Sequence, residues 1–163
     1  MNGKEAFWTS LNVSNLLVTG YLDDITPDEM MIRPVPGANH IAWQLGHLIL
    51  AERHFVNVAV PGSMPELPAG FADHYGRGKS PTDSPADYLT KEEYLAMMTQ
   101  VREATLRALN GLTDEDFDKP IHGNVPPFVK SVGDCFATIG PHWASHAGQW
   151  VVLRRKLGRP VMF

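Results

Sequence analysis

The stretch IGPHWASHAGQW, residues 139–150, decides how the chain is interpreted. Its apolar residues have the spacing of a helix in a core, yet His142 and His146 lie one turn apart on the same face. Burying two imidazoles without partners is costly, so we expect either a shared metal ion or two histidines that only pack. Pro141 predicts a kink just before the pair, because proline removes one helical hydrogen bond and crowds the carbonyl of Ala137.

Four segments of the chain show helical periodicity, and connectors rich in proline and glycine separate them; they cover about residues 4–22, 39–60, 90–109 and 132–157. The third begins with a capping box, in which Thr90 and Glu93 satisfy each other's free amides. The connector at 61–89 is too long and too irregular for a tight turn. We predict an all-α fold: a four-helix bundle, as a single domain over residues 1–163, with a long crossover connection between helices two and three.

Bulk composition limits the class of protein. A chain of 163 residues with 44% hydrophobic content suits one domain with a substantial core. Its 18 acidic and 14 basic residues are scattered, which argues against a nucleic-acid partner. No apolar run reaches the roughly 18–20 residues that span a bilayer, and MNGKEAFW lacks the features of a signal peptide. We therefore expect a cytoplasmic protein without a membrane partner. Its one cysteine, Cys135, excludes an internal disulfide.

The second predicted helix offers partners for the histidine pair. His40, His47 and His54 are spaced by seven and lie within about 20° of one another around that helix. His47 has the strongest case, because it lies mid-helix among apolar residues and follows Gly46, which allows close helix approach. His40 and His54 lie about 10.5 Å away along the axis on either side, too far to share the ion. We predict that His40 belongs to the first helical turn and that His54 is solvated or packs between helices.

At these residues the sequence resembles a known family. The phrase PGANHIAWQLGHL (36–48), followed later by HWASHAGQ (142–149) and LRRKLG (153–158), is similar to the DinB-like four-helix superfamily over essentially the whole chain. The resemblance implies a metal-binding bundle with three histidine ligands, which here are His47, His142 and His146. Superfamily members include thiol-dependent S-transferases that use bacillithiol, mycothiol or glutathione, and hydrolase-like or isomerase-like relatives. The resemblance also implies a homodimer.

One position departs from the family pattern. Ala147 follows the second histidine of the pair, where relatives often carry arginine, so no role for that arginine transfers to this chain.

Three neutral imidazoles without a carboxylate leave a divalent ion with its full charge and at least one open coordination position. That arrangement is typical of catalytic rather than structural sites. Such an ion lowers the pKa of bound water towards about 7 or stabilises a thiolate, so both hydrolysis and thiol transfer are available. Imidazole suits zinc, nickel, iron and copper comparably. The expected cofactor is therefore one divalent transition metal, with zinc, nickel and iron as the candidates.

Other side chains are candidates for orienting the imidazoles or for lining the pocket: Gln44, Gln149, Trp143 and Ser14. The alternative for each glutamine is an ordinary interhelical hydrogen bond, and the alternative for Ser14 is a hydroxyl bonded to its own helix. Within the 61–89 connector, four residues are candidates for closing over the ion, namely Phe71, His74, Tyr75 and Arg77. The alternative for them is a solvated loop.

Three functional hypotheses follow. The first is a metal-dependent enzyme that acts on a small-molecule substrate, with a low-molecular-weight thiol as a candidate partner, by thiol transfer or hydrolysis. The second is a non-catalytic metal- or ligand-binding helical module, such as a sensor or stress-response protein. It rests on the lack of a nearby carboxylate base, because Glu52 lies five residues from His47 and points to another side of the helix. In the third, the histidines only pack.

Overall fold

The computed structural model describes residues 2–161, and within this range the chain is helical without any β-strand. The helices in chain order are α1 (Gly3–Leu22), α2 (Pro27–Met30), α3 (Ile41–Ala59), α4 (Phe71–Tyr75), α5 (Lys91–Asn110) and α6 (Val132–Lys156). The predicted all-α fold class is confirmed. None of these helices combines the length and the hydropathy that crossing a membrane requires. The predicted domain over 1–163 includes residues 1, 162 and 163, which lie outside the described range.

Helix boundaries follow capping signals. The Thr90 hydroxyl accepts a hydrogen bond from the backbone N–H of Glu93 (3.2 Å), and the Glu93 carboxylate accepts one from the Thr90 N–H (2.8 Å), which confirms the predicted capping box. Ser131 and Asp134 form the same arrangement at the start of α6. Beyond the end of α6, Gly158 adopts a left-handed conformation (φ +69°) that suits glycine.

Two neighbouring helices, α3 and α6, place the histidines opposite each other. α6 packs against both α1 and α3, and α5 packs against α3 and to a smaller extent against α1. The core between them holds large buried side chains, among them Leu11, Leu48, Tyr94, Phe136, Trp143 and Trp150. Because α3 and α6 are in direct contact, a histidine of α3 can meet the histidine pair of α6.

A buried ion pair joins α3 to α5. The Arg102 guanidinium donates to both carboxylate oxygens of Glu52 (2.8 and 2.9 Å) and to the Leu11 carbonyl of α1 (2.6 Å). The Thr105 hydroxyl also donates to Glu52 (2.8 Å). Glu52 is only 2% exposed, and loss of one partner from a buried pair of this kind costs about 3–5 kcal/mol. Its carboxylate therefore serves the core, on the side of α3 that faces α5.

The connector at 61–89 folds onto α3. Phe71 and Tyr75 of α4 are buried, and the hydroxyl oxygens of Tyr75 and Tyr94 lie 2.7 Å apart. A Cβ at Gly46 would lie 2.3 Å from the Tyr75 ring, so this position requires glycine. Gly46 therefore makes room for the Tyr75 ring of α4, a short helix within the connector. The solvated-loop alternative is wrong for Phe71 and Tyr75, and the crossover course of the connector stays a prediction.

Candidate metal centre

Three imidazoles meet between α3 and α6. The ring centroid of His47 lies 5.3 Å from that of His142 and 5.6 Å from that of His146, and the two rings of α6 are 5.0 Å apart. One nitrogen from each ring can be chosen so that the three lie within 4.8 Å of one another. Nitrogens this close can serve a single ion, whose usual distance to a histidine nitrogen is about 2.0–2.1 Å.

The orientation of His47 is set by the backbone of α4 and by an indole ring. Its Nδ1 lies 3.1 Å from the Tyr75 carbonyl oxygen, which can only accept, so Nδ1 carries the proton. In the neutral ring the lone pair is then on Nε2, the form that binds metals. The Trp43 ring stacks on the imidazole, with centroids 5.1 Å apart and planes 8° from parallel. Trp43 Nε1 in turn donates to the carbonyl of His74 (3.2 Å).

The orientation of His146 is set by Gln44. Trp150 Nε1, which can only donate, bonds to Gln44 Oε1 (2.9 Å), while Gln44 Nε2 donates to the Asn39 carbonyl (2.6 Å). The Trp150 donor and the Asn39 acceptor together assign the oxygen and the nitrogen of the Gln44 side-chain amide. His146 Nδ1 lies 2.9 Å from the same Oε1, so it must donate, and its lone pair is on Nε2. Gln44 therefore fixes the orientation of a candidate metal ligand through the ring nitrogen that would not bind the metal.

His142 is held differently from the other two histidines. Among residues 2–161 its ring has no hydrogen-bond partner, and it faces the ring of His47 edge-on at 88°. α6 runs without interruption through Pro141, so the predicted kink stays a prediction. Pro141 has no N–H to donate to Ala137, but the helix still delivers His142 to the cluster.

Burial keeps the two histidines of α6 neutral. It lowers the pKa of His142 to about 4, with a smaller contribution from His47 nearby. Burial also lowers the pKa of His146 to about 3, and the neighbouring His142 and His47 lower it further. In the metal-free protein both rings are therefore uncharged at neutral pH, and a metal ion does not have to displace protons from them.

The sequence pattern that describes the DinB superfamily matches residues 17–150, a range that contains α3 and all three clustered histidines. The chain belongs to the DinB superfamily. This superfamily includes metal-binding enzymes. The comparison with curated proteins gives no match.

Other candidate side chains of this DinB-superfamily chain lie apart from the cluster. Gln149 is exposed, and it forms no hydrogen bond within residues 2–161. Trp143 is buried, and its ring faces the guanidinium of Arg102 at 5.7 Å. The Ser14 hydroxyl donates to the Leu11 carbonyl of its own helix (2.9 Å). This is the alternative that we predicted for Ser14.

The two histidines excluded from the cluster by spacing have backbone partners. His40 caps α3 one residue before its first turn: its Nδ1 accepts from the Trp43 N–H (3.2 Å), and its Nε2 lies 2.9 Å from the Thr82 carbonyl. His54 Nε2 lies 2.8 Å from the carbonyl of Asn124. His40 therefore lies one residue before the first turn to which it was predicted to belong, and His54 contacts a loop between α5 and α6.

Three contributors to the centre were missed from the sequence. They are the Tyr75 carbonyl and the indoles of Trp43 and Trp150. Each tryptophan lies four residues from a clustered histidine, Trp43 before His47 and Trp150 after His146, and that spacing was an available signal. The Tyr75 carbonyl had no such signal, because a backbone oxygen carries no residue identity.

A cleft of about 1110 Å³ borders the cluster. His47 and His142 form part of its wall. Apolar side chains make up much of the rest, including Leu50, Ala51, Phe55, Val125, Pro126 and Phe128. Arg77 and Asp134 are its charged lining residues. A cleft of this size and character suits a small molecule with an apolar portion.

Proposed function

We propose that this protein is a divalent-metal-dependent enzyme with an open three-histidine site, which acts on a small molecule by thiol transfer or hydrolysis. The observation that carries the proposal is that one ring nitrogen each of His47, His142 and His146 lies within 4.8 Å of the other two, beside a cleft. Three protein ligands leave at least one coordination position open, as catalytic sites do.

The donor set fits a divalent transition metal. Two of the imidazoles direct Nδ1 at acceptors, the Tyr75 carbonyl and Gln44 Oε1, and so present Nε2 lone pairs. Neutral imidazoles suit zinc, nickel and iron. When bound, such an ion supplies positive charge and an open position that lowers the pKa of a coordinated thiol or water.

Thiol transfer is favoured over hydrolysis by the state of the carboxylates. Asp134 lines the cleft, but its Oδ2 accepts hydrogen bonds from the backbone N–H groups of Lys130 (2.8 Å) and Ser131 (3.0 Å). These bonds, led by that of Lys130, hold the pKa of Asp134 below its ordinary value, which makes it a weak base. Glu52 is paired with Arg102 in the core. A bound water that still holds its proton needs a general base within reach, whereas a thiol is a stronger acid than water and loses its proton to solvent more readily.

In the proposed transfer, the thiol gives its proton to solvent and its sulfur forms a bond to an electrophilic carbon. The leaving group departs with the electron pair of the broken bond. The apolar wall of the cleft would hold the electrophile beside His47 and His142, which line the same cleft.

The second candidate is a non-catalytic metal- or ligand-binding module, for example a sensor. It is favoured by the same observation on Glu52 and Asp134, since neither carboxylate is free to act as a strong base. A module of this kind would be stabilised by its ligand without turning it over.

Metal content tests the site itself. The untagged protein should carry about one transition metal per chain by inductively coupled plasma mass spectrometry, as isolated or after incubation with zinc, nickel or iron. The double variant His47→Ala, His146→Ala should lose it. The control is His122→Ala, which removes an exposed histidine from a loop. No metal in the native protein after all three incubations would mean that the histidines only pack.

Turnover then separates the two candidates. Metal-loaded protein is assayed with bacillithiol, mycothiol and glutathione against a panel of electrophiles, and with hydrolysable esters and amides. Thiol-dependent product formation that the double variant lacks is the expected result. Thermal stabilisation by a panel compound without any product would instead favour the binding module.

A further inference from the structure

One arginine of the cleft wall has no partner among residues 2–161. Arg77 lines the cleft together with His47 and His142, and its side chain is exposed. Within residues 2–161 its guanidinium makes neither an ion pair nor a hydrogen bond. Most other arginines do have partners, for example Arg33, Arg53, Arg102, Arg154 and Arg159. The Arg77 guanidinium is therefore available to a ligand in the cleft.

The charges around Arg77 favour an anion. Asp134 lines the cleft, and its Oδ2 already accepts hydrogen bonds from the backbone N–H groups of Lys130 and Ser131, just before α6. No other acidic side chain of the described residues forms part of the wall. A guanidinium pairs with carboxylates through two parallel hydrogen bonds, which makes arginine well suited to recognising a planar anionic group.

The rest of the wall favours an apolar body on the same ligand. Phe128 is 67% exposed and lines the cleft, and Phe55, Val125 and Pro126 extend the apolar surface beside it. An exposed phenylalanine in the wall of such a cleft offers an apolar contact surface to a ligand.

We propose that the cleft binds a small amphipathic anion: its carboxylate pairs with Arg77, its apolar body packs against Phe128, and its donor group reaches the three histidines. The inference rests on the proposed function, because the donor group needs the metal. It narrows the substrate or thiol to molecules that carry a negative charge away from their reactive group.

Two probes that differ only in charge test this inference. Mercaptohexanoate and mercaptohexanol have the same chain length and the same thiol, but only the first carries a carboxylate. Their affinities for the zinc-loaded protein are measured by isothermal titration calorimetry. We expect the anionic probe to bind roughly five- to tenfold more tightly, the gain of a partly solvated charged pair. Arg77→Gln should abolish this preference and leave the affinity for mercaptohexanol unchanged.

The matched control is Lys79→Gln. It removes one positive charge two residues after Arg77, from an exposed side chain that does not line the cleft. This variant should keep the preference for the anion. Equal affinities of the wild-type protein for the two probes, or an equal loss in both variants, would overturn the inference.

Zinc content is measured on the same samples to separate the two proposals. If the wild-type protein holds no zinc, the titrations are repeated after loading with nickel or iron. If it holds none of the three metals, the proposed function fails and this inference fails with it. If zinc is bound but the anionic probe has no advantage, only the assignment of Arg77 fails.

Discussion

Replacing Gln44 with leucine tests whether its hydrogen bonds stabilise both the core and the candidate metal centre. Trp150 is 1% exposed, and without Gln44 its indole N–H would be buried with no acceptor, which costs about 1–3 kcal/mol. His146 and the Asn39 carbonyl are partly buried and would lose the same partner, with some compensation from water. We expect the free energy of unfolding of the metal-free protein to fall by about 2–4 kcal/mol. Urea unfolding followed by circular dichroism measures it.

The same substitution should weaken metal binding. Once His146 Nδ1 loses its acceptor, neither the tautomer nor the orientation of the ring is held, and loss of such an outer partner typically lowers metal affinity by about 10–100-fold. Competition for zinc with a chromogenic chelator measures the affinity, under conditions in which circular dichroism shows the variant to be folded.

Gln149→Leu is the control for Gln44→Leu. It makes the same chemical change three residues beyond His146, at an exposed position, so both the stability and the zinc affinity should stay within about 0.5 kcal/mol of the wild-type values. If Gln44→Leu loses stability but binds zinc as tightly as the wild-type protein, Gln44 serves only the core, and the argument for its control of His146 is refuted.

Three further predictions concern the fold around the centre. Gly46→Ala should destabilise the protein by about 1–3 kcal/mol, because the new methyl group would overlap the Tyr75 ring and this outweighs the better helix propensity of alanine. A higher midpoint of thermal unfolding than that of the wild-type protein would contradict this prediction. The pKa of Asp24 is lowered from 3.8 to about 2, first by its hydrogen bond from Arg154, so its stabilising effect is complete above about pH 5 and is lost progressively as the pH falls through 2. Unfolding measured against pH should show that loss in the wild-type protein and a smaller one in Asp24→Asn. Burial raises the pKa of Cys135 to about 11, so a thiol reagent at mildly alkaline pH should label it only after denaturation, and rapid labelling of the native protein would count against its buried position.

Local rules account for what could be predicted of the fold. Capping residues and apolar periodicity act over three or four positions, so the helix that starts after Thr90 and the one that covers 132–156 were placed correctly. The second predicted helix began two residues early, because His40 caps α3 instead of joining it. The same local geometry placed His142 and His146 on one face and His47 mid-helix.

The sequence by itself determined the helices, the shared face of the histidine pair and the helix that supplies the third histidine. All of these depend on positions within one turn of each other or on a family pattern. Only the tertiary structure decided that Gln44 orients His146 while Gln149 points to solvent, and that the carbonyl of Tyr75 orients His47. Spacing sets the face of a helix on which a side chain lies, but the partner of that face depends on packing between segments far apart in the chain.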